Sequence, residues 1–301
     1  MRIVVTGANG LIGSRLARLL SSRGHDVIAW GRGPQRATLN AAKYQSLELT
    51  DARAVSSAVS AAFPQVIINP AAMTDVDGCE RDPLGAWDIN VGAVATLARA
   101  ARLSASFLLH VSTDYVFDGD AGPYQVDATP NPRGAYALTK HAGEQAVRAL
   151  LPADAWAIAR TAVVYGWPAE GKSNFGSWLI SSLSEGKKVS LFADQRVSTT
   201  HADNAAAMLA ELAERKLPGL WHVAGAEVTD RVEFGQRLCA RFGFDASLIT
   251  PARMVDVRLA SPRPARSGLQ VDRTTNTLKA APWTLAEGLE ALLAEYRKGR
   301  P

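Results

Sequence analysis

The 301-residue sequence predicts an α/β protein with a doubly wound parallel sheet and a smaller C-terminal α/β lobe. Short apolar runs alternate with stretches of helical period through the first two-thirds of the chain. These runs are continuously apolar, as expected of strands that helices cover on both faces. After about residue 165, glycine, proline and serine interrupt the pattern, which favours a second lobe packed on the first.

The elements follow one another in a regular order along the first part of the chain. The expected strands are RIVV, DVIAW, QVIIN, SFLLHVS and AWAIAR, with GLWHVAG as a late strand. A first helix is expected to place Ile12, Leu16, Leu19 and Leu20 on one face. Further helices are expected over 51–62, 84–103 and 135–150, and the residues from Thr284 onward read as an amphipathic closing helix.

Composition and charge exclude several classes of protein. The 33 basic and 29 acidic residues leave a net charge of +4 without a clustered basic stripe, so no nucleic-acid surface is expected. The two cysteines lie far apart, which fits a reducing compartment. Glycines interrupt the N-terminal apolar run too early for a signal peptide or a membrane span. We therefore expect a soluble, cytoplasmic protein without a membrane partner.

The segment TGANGLIG follows the first strand and opens the first helix. Its glycines allow a tight turn, a close approach of a pyrophosphate, and close packing on the sheet, while the helix N-terminus offers free N–H groups. This context predicts a Rossmann-like dinucleotide site, in which the cofactor contacts are Gly7, Asn9, Gly10, Leu11, Ile12 and Gly13. We expect residues 1–165, with a returning segment of about 200–224, to bind the cofactor. Residues 166–199 and 225–301 are then expected to form the substrate-binding lobe.

The end of the second strand predicts which dinucleotide is preferred. A carboxylate at this position would bind the 2′-hydroxyl of NAD, whereas a 2′-phosphate needs a cation. In AWGRGPQR, Gly31 stands at that position, Arg32 follows it, and Arg36 could assist. NADPH is therefore the expected cofactor, with NADH as the alternative.

Tyr136 and Lys140, in the stretch YALTK, share one face of the expected 135–150 helix. A lysine ammonium beside a phenol lowers the tyrosine pKa from its usual value of about 10. Such a tyrosine can exchange a proton with a carbinol oxygen while nicotinamide carries the hydride, and the lysine can hold the ribose. Thr113, in VSTDYVFDG, follows an apolar strand where ligands bind in such sheets, so its hydroxyl could bond a substrate carbonyl.

Several segments spread over most of the chain resemble one known family. They are TGANGLIG, INPAAMTDVDGCERDP with AWDIN, VSTDYVFDGDAGPY, TPNPRGAYALTKHAGE, NFGSWL, ADQRVST, GLWHVAG and SPRPARSGL. Together they resemble the extended short-chain dehydrogenase/reductase family, most closely its dTDP-4-dehydrorhamnose reductase branch. That branch includes the regulatory β-subunit of methionine adenosyltransferase. STDYVFDG and AAMTDVD are specific to the branch.

The resemblance implies roles for individual residues. Thr113, Tyr136 and Lys140 would be the catalytic trio. The cofactor would be lined by Ala71, Ala72, Met73 and Asn90, with Glu48 and Leu49 facing adenine, although the branch has Asp more often than Glu at position 48. A pocket between the lobes would hold a nucleotide-linked 4-keto-6-deoxy sugar. Its contacts would be Thr74, Val76, Asp114, Tyr115, Asn174 and Arg263.

Two departures from the branch stand out. Many of its reductases have a tryptophan where this sequence has Val163, so a sugar or base contact is missing here. Some members bind a metal through a glutamate in the first helix, where this sequence has Arg15, and no metal is predicted.

The stretch GWPAEGKS (166–173) matches the P-loop pattern, but its chemistry does not suit phosphate. Trp167 is bulky, Pro168 lacks an N–H, and Glu170 is negatively charged, so nucleotide hydrolysis is not expected. In the resemblance this is a substrate-side loop, where Lys172 would meet the sugar nucleotide.

The sequence thus predicts an NADPH-dependent reductase of a nucleotide-linked 4-keto-6-deoxy sugar, for which a homodimer is a compatible assembly. Two alternatives stay open. One is an NADP-binding regulatory subunit resembling the methionine adenosyltransferase β-subunit, and the other is a sugar-nucleotide epimerase or dehydratase. Val163 favours the first alternative, whereas the intact trio favours catalysis.

Overall fold

The structure is a computed structural model that describes residues 1–168 and 173–299. Its strands are β1 (Arg2–Val5), β2 (Asp26–Gly31), β3 (Lys43–Ser46), β4 (Val66–Asn69), β5 (Phe107–Thr113), β6 (Trp156–Thr161), β7 (Val164–Tyr165), β8 (Val189–Phe192), β9 (Arg196–Val197), β10 (Thr200–His201), β11 (Gly219–His222), β12 (Thr229–Asp230) and β13 (Ile249–Ala252). Its helices are α1 (Leu11–Ser22), α2 (Ala52–Ala62), α3 (Val76–Arg81), α4 (Pro83–Trp87), α5 (Ala93–Leu103), α6 (Ala135–Leu150), α7 (Phe175–Ser184), α8 (Ala202–Glu214), α9 (Arg231–Phe242), α10 (Asp272–Thr277) and α11 (Leu285–Gly299).

A seven-stranded sheet in the order β11-β6-β5-β4-β1-β2-β3 forms the centre of the first lobe, and all its pairings are parallel. The strand order reverses between β1 and β4. In such a sheet the loops at the carboxyl ends diverge at the reversal and leave a crevice for a ligand. The doubly wound fold predicted from the sequence is confirmed.

Helices cover both faces of this sheet, as the continuously apolar strands require. On one face α1 and α8 pack through Leu16, Leu20 and Leu209. On the other face α2 and α5 pack through Val59 and Leu97. Because both faces are covered, alternate residues of each strand are buried on opposite sides, and β4 and β5 are buried along their whole length.

The expected elements of the first lobe lie where the sequence placed them, and the short helix α3 is an addition that was not expected. Two further differences concern one helix and one strand. The 84–103 helix is divided by a π-helical turn over Asp88–Gly92, so α4 and α5 are separate segments. The edge strand β3 was missed, because its sequence KYQS is polar and three of its four residues are exposed. The late strand GLWHVAG is confirmed as β11, which returns to the sheet beside β6.

The second part of the chain has its own apolar core. Leu179 of α7, Phe234 and Leu238 of α9 and Leu292 of α11 pack together there. The strands of this part pair as short two-stranded sheets, which no sequence pattern indicated. No helix within residues 1–168 and 173–299 is long and apolar enough to cross a membrane.

Candidate active site

The glycine loop after β1 has the close contacts that its sequence predicts. Gly7 has a φ of +59°, and a Cβ on it would lie 3.1 Å from the backbone of Ala71. A Cβ on Gly13 would lie 2.2 Å from the Gly7 carbonyl oxygen, so the helix can approach the loop only with glycine there. No side chain caps the start of α1, and its first turn carries no acidic residue. The backbone N–H groups at Leu11 and Ile12 therefore suit a pyrophosphate.

The turn that carries Arg32 and Arg36 is held in place by two side chains. Both arginines are exposed. The Asn9 amide donates to the carbonyl oxygens of Arg32, at 3.2 Å, and of Pro34, at 3.0 Å, and its oxygen accepts from the Arg36 N–H at 2.9 Å. The Tyr44 hydroxyl donates to the carbonyl of this turn at Gly33, at 2.6 Å. Asn9 thus binds the turn within the protein, and no sequence pattern indicated Tyr44.

The segment 71–73 borders the same crevice. Asn90, fully buried, accepts from the Met73 N–H at 2.9 Å and donates to the Met73 carbonyl at 3.2 Å. Ala71 lies against Gly7, and Ala72 is half-buried beside it. The side chain of Leu49 packs on the core near β2, while Glu48 is exposed. The contacts of Gly7 with Ala71 and of Asn90 with Met73 thus bring part of the predicted cofactor set together after β1 and β4, whereas no contact of this kind is seen for Glu48.

Thr113, Tyr136 and Lys140 lie together at the carboxyl end of β5. Thr113 is the last residue of that strand, and its hydroxyl is hydrogen-bonded to the Tyr136 phenol. The ring of Tyr115 meets the Tyr136 ring edge-on, with the ring centroids 5.6 Å apart. Lys140 is buried one turn further along α6, where its Nζ donates to the Val111 carbonyl at 2.7 Å. The structure brings the predicted trio into one site.

The titration of this trio differs from the sequence expectation in one respect. Burial raises the pKa of Tyr136 above its ordinary value, the Thr113 hydrogen bond opposes this shift, and the nearby Asp114 carboxylate adds to it. Burial also lowers the pKa of Lys140 to about 8. The predicted lowering of the Tyr136 pKa by Lys140 is therefore wrong for this structure, since burial outweighs it. The phenol holds its proton at neutral pH.

A cavity of about 240 Å³ opens beside Tyr115, between the two lobes. It is lined by Tyr115, Phe175, Trp178, Ser190, Leu191, Phe192, Gln195, Arg231 and Arg263. Of the predicted substrate contacts, Tyr115 and Arg263 line this cavity. The sequence analysis assigned no role to Phe175, Trp178, Gln195 and Arg231. The first three lie in the segments NFGSWL and ADQRVST, which carry the family resemblance, whereas Arg231 lies in no such segment.

Arg231 is the cation of this cavity without a carboxylate partner. Its guanidinium lies over the Phe175 ring, 4.4 Å from the centroid, and its Nε donates to Gln195 Oε1 at 3.1 Å. Its Nη1 is buried and has no hydrogen-bond partner among the described residues. By contrast, Arg263 is paired with Asp77 at 2.9 Å. Arg231 therefore offers a desolvated donor to an anionic group.

The other predicted substrate contacts are used within the protein or lie outside the cavity lining. The Asp114 carboxylate accepts from the Ser267 and Thr113 hydroxyls, at 2.5 and 3.1 Å, and burial raises its pKa to about 6. Asn174 caps α7, and its amide also donates to the Gly166 carbonyl at 2.8 Å. Thr74 is exposed, and Val76 begins α3 half-buried. Lys172 lies outside the described residues.

Comparisons with known proteins show the family of this chain. Residues 1–298 match the RmlD substrate binding domain family. The chain belongs to this family. A probable low-salt glycan biosynthesis reductase of Haloferax volcanii is 36% identical, over 98% of each chain. A dTDP-4-dehydrorhamnose reductase of Streptomyces griseus is 35% identical, over 90% of this chain and 86% of that one.

A solved structure of the RmlD family supports the same relationship. The dTDP-4-dehydrorhamnose reductase of Bacillus anthracis, in complex with NADP, superposes with a TM-score of 0.88 at 28% identity. It covers 98% of this chain and 99% of that one. The resemblance to the dTDP-4-dehydrorhamnose reductase branch of the extended short-chain dehydrogenase/reductases is confirmed.

Two positions where this chain departs from its RmlD-family relatives have clear structural settings. Arg15 is buried in α1, and its Nη1 bonds both Asp203 and Glu295 at 2.6 Å. An arginine cation paired with two carboxylates thus occupies this position. Val163 lies just before β7 with a φ of +37° and is not part of the cavity lining.

Proposed function

We propose that this chain is an NADPH-dependent reductase of a nucleotide-linked 4-keto-6-deoxy sugar, like the dTDP-4-dehydrorhamnose reductases to which it is related. One observation carries the proposal. Tyr136, hydrogen-bonded to Thr113 at the carboxyl end of β5, contacts the ring of Tyr115, which lines the cavity that contains Arg231. A proton donor and an anion site are thus next to one another.

The residues of the site have distinct tasks in such a reduction. NADPH, when bound, supplies the hydride for the carbonyl carbon. Tyr136 gives its proton to the carbonyl oxygen, so the ketone becomes an alcohol, and its raised pKa keeps that proton in place until it is needed. Thr113 orients the carbonyl through its hydroxyl. Lys140 stabilises the phenolate that forms when Tyr136 loses its proton.

The fit to NADPH rests on the glycine loop and the turn behind it. The uncapped start of α1 suits the pyrophosphate, and Arg32 and Arg36 on the braced turn suit a 2′-phosphate. Gly31 ends β2 without a carboxylate, so nothing at that position repels the phosphate. NADH can occupy the same crevice without the arginine contacts.

The sugar nucleotide is expected in the cavity between the lobes. Arg231 would bind a phosphate of the diphosphate, because its buried Nη1 lacks a protein partner among the described residues. Trp178 and Phe175 offer flat apolar surfaces to a base. On this basis residues 1–165 and about 200–224 bind the cofactor, and the remaining residues bind the substrate. Cytoplasmic location and assembly as a homodimer belong to the same proposal.

The two alternatives fit the site less well. A purely regulatory NADP-binding subunit would not need a proton-holding tyrosine bonded to a threonine at the carboxyl end of β5. A dehydratase would need a base to remove a carbon-bound proton next to the ketone. The residue after Asp114 is a tyrosine whose pKa is raised by burial, which is unsuited to that role.

The first test is the absorbance at 340 nm with NADPH, then NADH, and a dTDP-4-keto-6-deoxy sugar. We expect oxidation of NADPH to be faster than that of NADH. Tyr136→Phe should bind NADPH normally and lose about 10²- to 10⁴-fold in turnover. Tyr124→Phe removes a hydroxyl that bonds the turn at Asp118–Ala121 and none of the trio, and it serves as the matched control. Unchanged turnover in Tyr136→Phe would refute the mechanism. Binding of NADPH without turnover would refute the proposal that this sugar nucleotide is the substrate.

A further inference from the structure

Four polar side chains form a hydrogen-bonded chain beneath the proposed catalytic site. Thr6, Asn69, His110 and Lys140 have exposed fractions of 0, 1, 0 and 2%. The Thr6 hydroxyl donates to Asn69 Oδ1 at 2.6 Å, and Asn69 Nδ2 lies 3.1 Å from His110 Nδ1. His110 Nε2 lies 3.5 Å from Lys140 Nζ. This chain links the loop after β1 with the lysine on α6.

The imidazole in the middle of this chain is neutral. Burial lowers the pKa of His110 well below its ordinary value, Lys140 lowers it further, and Glu144 acts in the opposite direction. A neutral imidazole has one nitrogen that donates and one that accepts. The two neighbours of His110 therefore cannot both act as donors to the ring.

This constraint couples the hydrogen positions to the charge of Lys140. When Lys140 is an ammonium it can only donate, so Nε2 must accept and the ring proton lies on Nδ1. Asn69 then has to turn its amide oxygen toward Nδ1. When Lys140 is a neutral amine, Nε2–H can donate to it, and Nδ1 accepts from Asn69 Nδ2. Each charge state of Lys140 thus requires a different arrangement of hydrogen-bond donors and acceptors along the four side chains.

The charged groups around His110 lie on two elements. Lys140 and Glu144 face it from α6. Glu144 is itself bound by Arg160 of β6 through two hydrogen bonds, at 2.7 and 2.9 Å. Because this second pair is buried and internally compensated, Lys140 is the nearby group whose charge changes near neutral pH.

The backbone also holds the ring close to the helix of the lysine. A Cβ on Gly143 of α6 would lie 3.6 Å from His110 Nε2 and 2.4 Å from the Asn90 carbonyl oxygen. The glycine lets α6 approach the turn at Asn90, and His110 of β5 lies at ordinary van der Waals distance from the same position. His110 itself pairs with Asn69 in the register of β4 and β5, which sets the two side chains side by side.

We propose that His110, supported by Asn69, is a positioning residue for Lys140. It accepts a hydrogen bond from the charged lysine and thereby keeps the ammonium directed along α6 beneath Tyr136. This role rests on the proposed reductase function, in which Lys140 must stay charged to stabilise the tyrosine phenolate. Neither His110 nor Asn69 contacts the substrate in this scheme.

The kinetic test compares His110→Met with His110→Gln over pH 6 to 10. The methionine cannot replace the acceptor, so charged Lys140 is disfavoured, and the decline of turnover at alkaline pH should move down by about one pH unit. Turnover then falls about tenfold near pH 9 and little at pH 6.5. The glutamine restores an acceptor, and its profile should follow the wild type. A parallel loss at all pH values, equal in both variants, would overturn the proposal.

A second readout does not depend on turnover. In protein labelled with ¹⁵N-histidine, the His110 signals are assigned from their loss in His110→Gln and followed over the same pH range. We expect His110 to stay neutral while its two nitrogens exchange donor and acceptor character as Lys140 titrates. Lys140→Met, which replaces the lysine by an apolar side chain of similar length, should abolish the change. Identical titrations in wild type and Lys140→Met would overturn the proposal.

The two measurements separate this inference from the function on which it rests. Absence of turnover in the wild-type protein, with an NMR titration that depends on Lys140, would reject the reductase proposal and keep the His110–Lys140 link. Wild-type turnover without an NMR titration that depends on Lys140 would keep the reductase proposal and reject the His110–Lys140 link. Thermal unfolding of each variant checks that a loss of turnover is not a loss of fold.

Discussion

Burial decides the chemistry of single residues at this site. Tyr136 and Lys140 are both removed from water, so the tyrosine keeps its proton and the lysine loses its own more readily. The phenol is therefore protonated at neutral pH and can donate its proton. The pKa of the lysine lies close to neutral pH, so its charge changes in that range. Arg231 is half-buried, and its buried Nη1 has no hydrogen-bond partner among the described residues.

Replacing Arg231 by methionine should weaken substrate binding. The variant loses a charge-assisted hydrogen bond worth about 1.5–3 kcal/mol, so KM for the sugar nucleotide should rise roughly 10- to 100-fold. The dissociation constant of NADPH should stay near the wild-type value, since Arg231 lies in the substrate cavity. Arg241→Met, at the exposed end of the same helix, is the matched control. An unchanged KM would remove Arg231 from the site.

Replacing Arg32 by serine should reduce the preference for NADPH. The lost pairing with the 2′-phosphate should lower the ratio of kcat/KM for NADPH to that for NADH by about tenfold or more. The kinetics with NADH should change little, since NADH has no 2′-phosphate. Arg53→Ser, at an exposed position of α2, removes the same charge and is the matched control. Equal loss with both cofactors would point to a structural role for Arg32.

At the scale of elements, several residues expected to bind ligands hold the backbone that does so. Asn9 and Tyr44 fix the turn with Arg32, and Asn90 fixes Met73. Such support matters because loops without regular structure have few hydrogen bonds of their own. Asn174 belongs to the same group, since its side chain closes a capping box at the start of α7.

The stability of α7 should therefore depend on Asn174. Asn174→Ala removes the cap and should lower the free energy of unfolding by about 1 kcal/mol, measured by urea denaturation. Asn174→Asp keeps an acceptor for the helix N–H groups and should retain most of that stability. If KM for the sugar nucleotide rises in the aspartate variant while stability is kept, the predicted substrate contact holds as well. A wild-type KM would leave Asn174 with the capping role alone.

For the whole molecule, one buried cation joins elements that are far apart in the sequence. Arg15 of α1 bonds Asp203 of α8 and Glu295 of α11, and its Nη2 donates to the Trp167 carbonyl at 2.9 Å. Glu295 also accepts from the Trp167 N–H at 2.7 Å, and its pKa is lowered to about 2, because its interactions with His201, Arg15 and Trp167 outweigh its burial. These bonds thus hold α11 of the second lobe against α1 and α8 of the first lobe.

Arg15→Met should loosen the attachment of α11. It leaves Glu295 partly buried without its cation, so the free energy of unfolding should fall by about 2–4 kcal/mol, less than for a fully buried pair because 19% of the Glu295 side chain is exposed. Arg15→Lys keeps the charge and should lose less. Differential scanning calorimetry measures the change, and equal stability of wild type and Arg15→Met would contradict it.

The pH dependence of stability tests two carboxylates that are paired with arginines, Glu295 beside Arg15 and Glu144 beside Arg160. The pKa of Glu295, and that of Glu144 beside Arg160, are both depressed to about 2. A carboxyl with a depressed pKa stabilises the fold above its unfolded value and loses this contribution as pH falls through the folded value. Stability should therefore decline between about pH 4.5 and pH 2, and the decline should be smaller in Glu144→Gln, which no longer titrates.

Much of this molecule was determined by the sequence itself. The strand and helix periods, the glycine loop, the absence of a carboxylate after β2, and the Thr113–Tyr136–Lys140 set are local patterns, readable because a few neighbouring residues suffice to specify each. The tertiary structure decided what depends on residues distant in sequence. The tertiary structure showed that burial raises the pKa of Tyr136 and that a buried chain of hydrogen bonds runs through His110. It also showed that Asn9 and Asn174 hold backbone segments in place, and that Arg231 lines the cavity. Burial and desolvation arise only when distant segments pack together, and no local pattern encodes them.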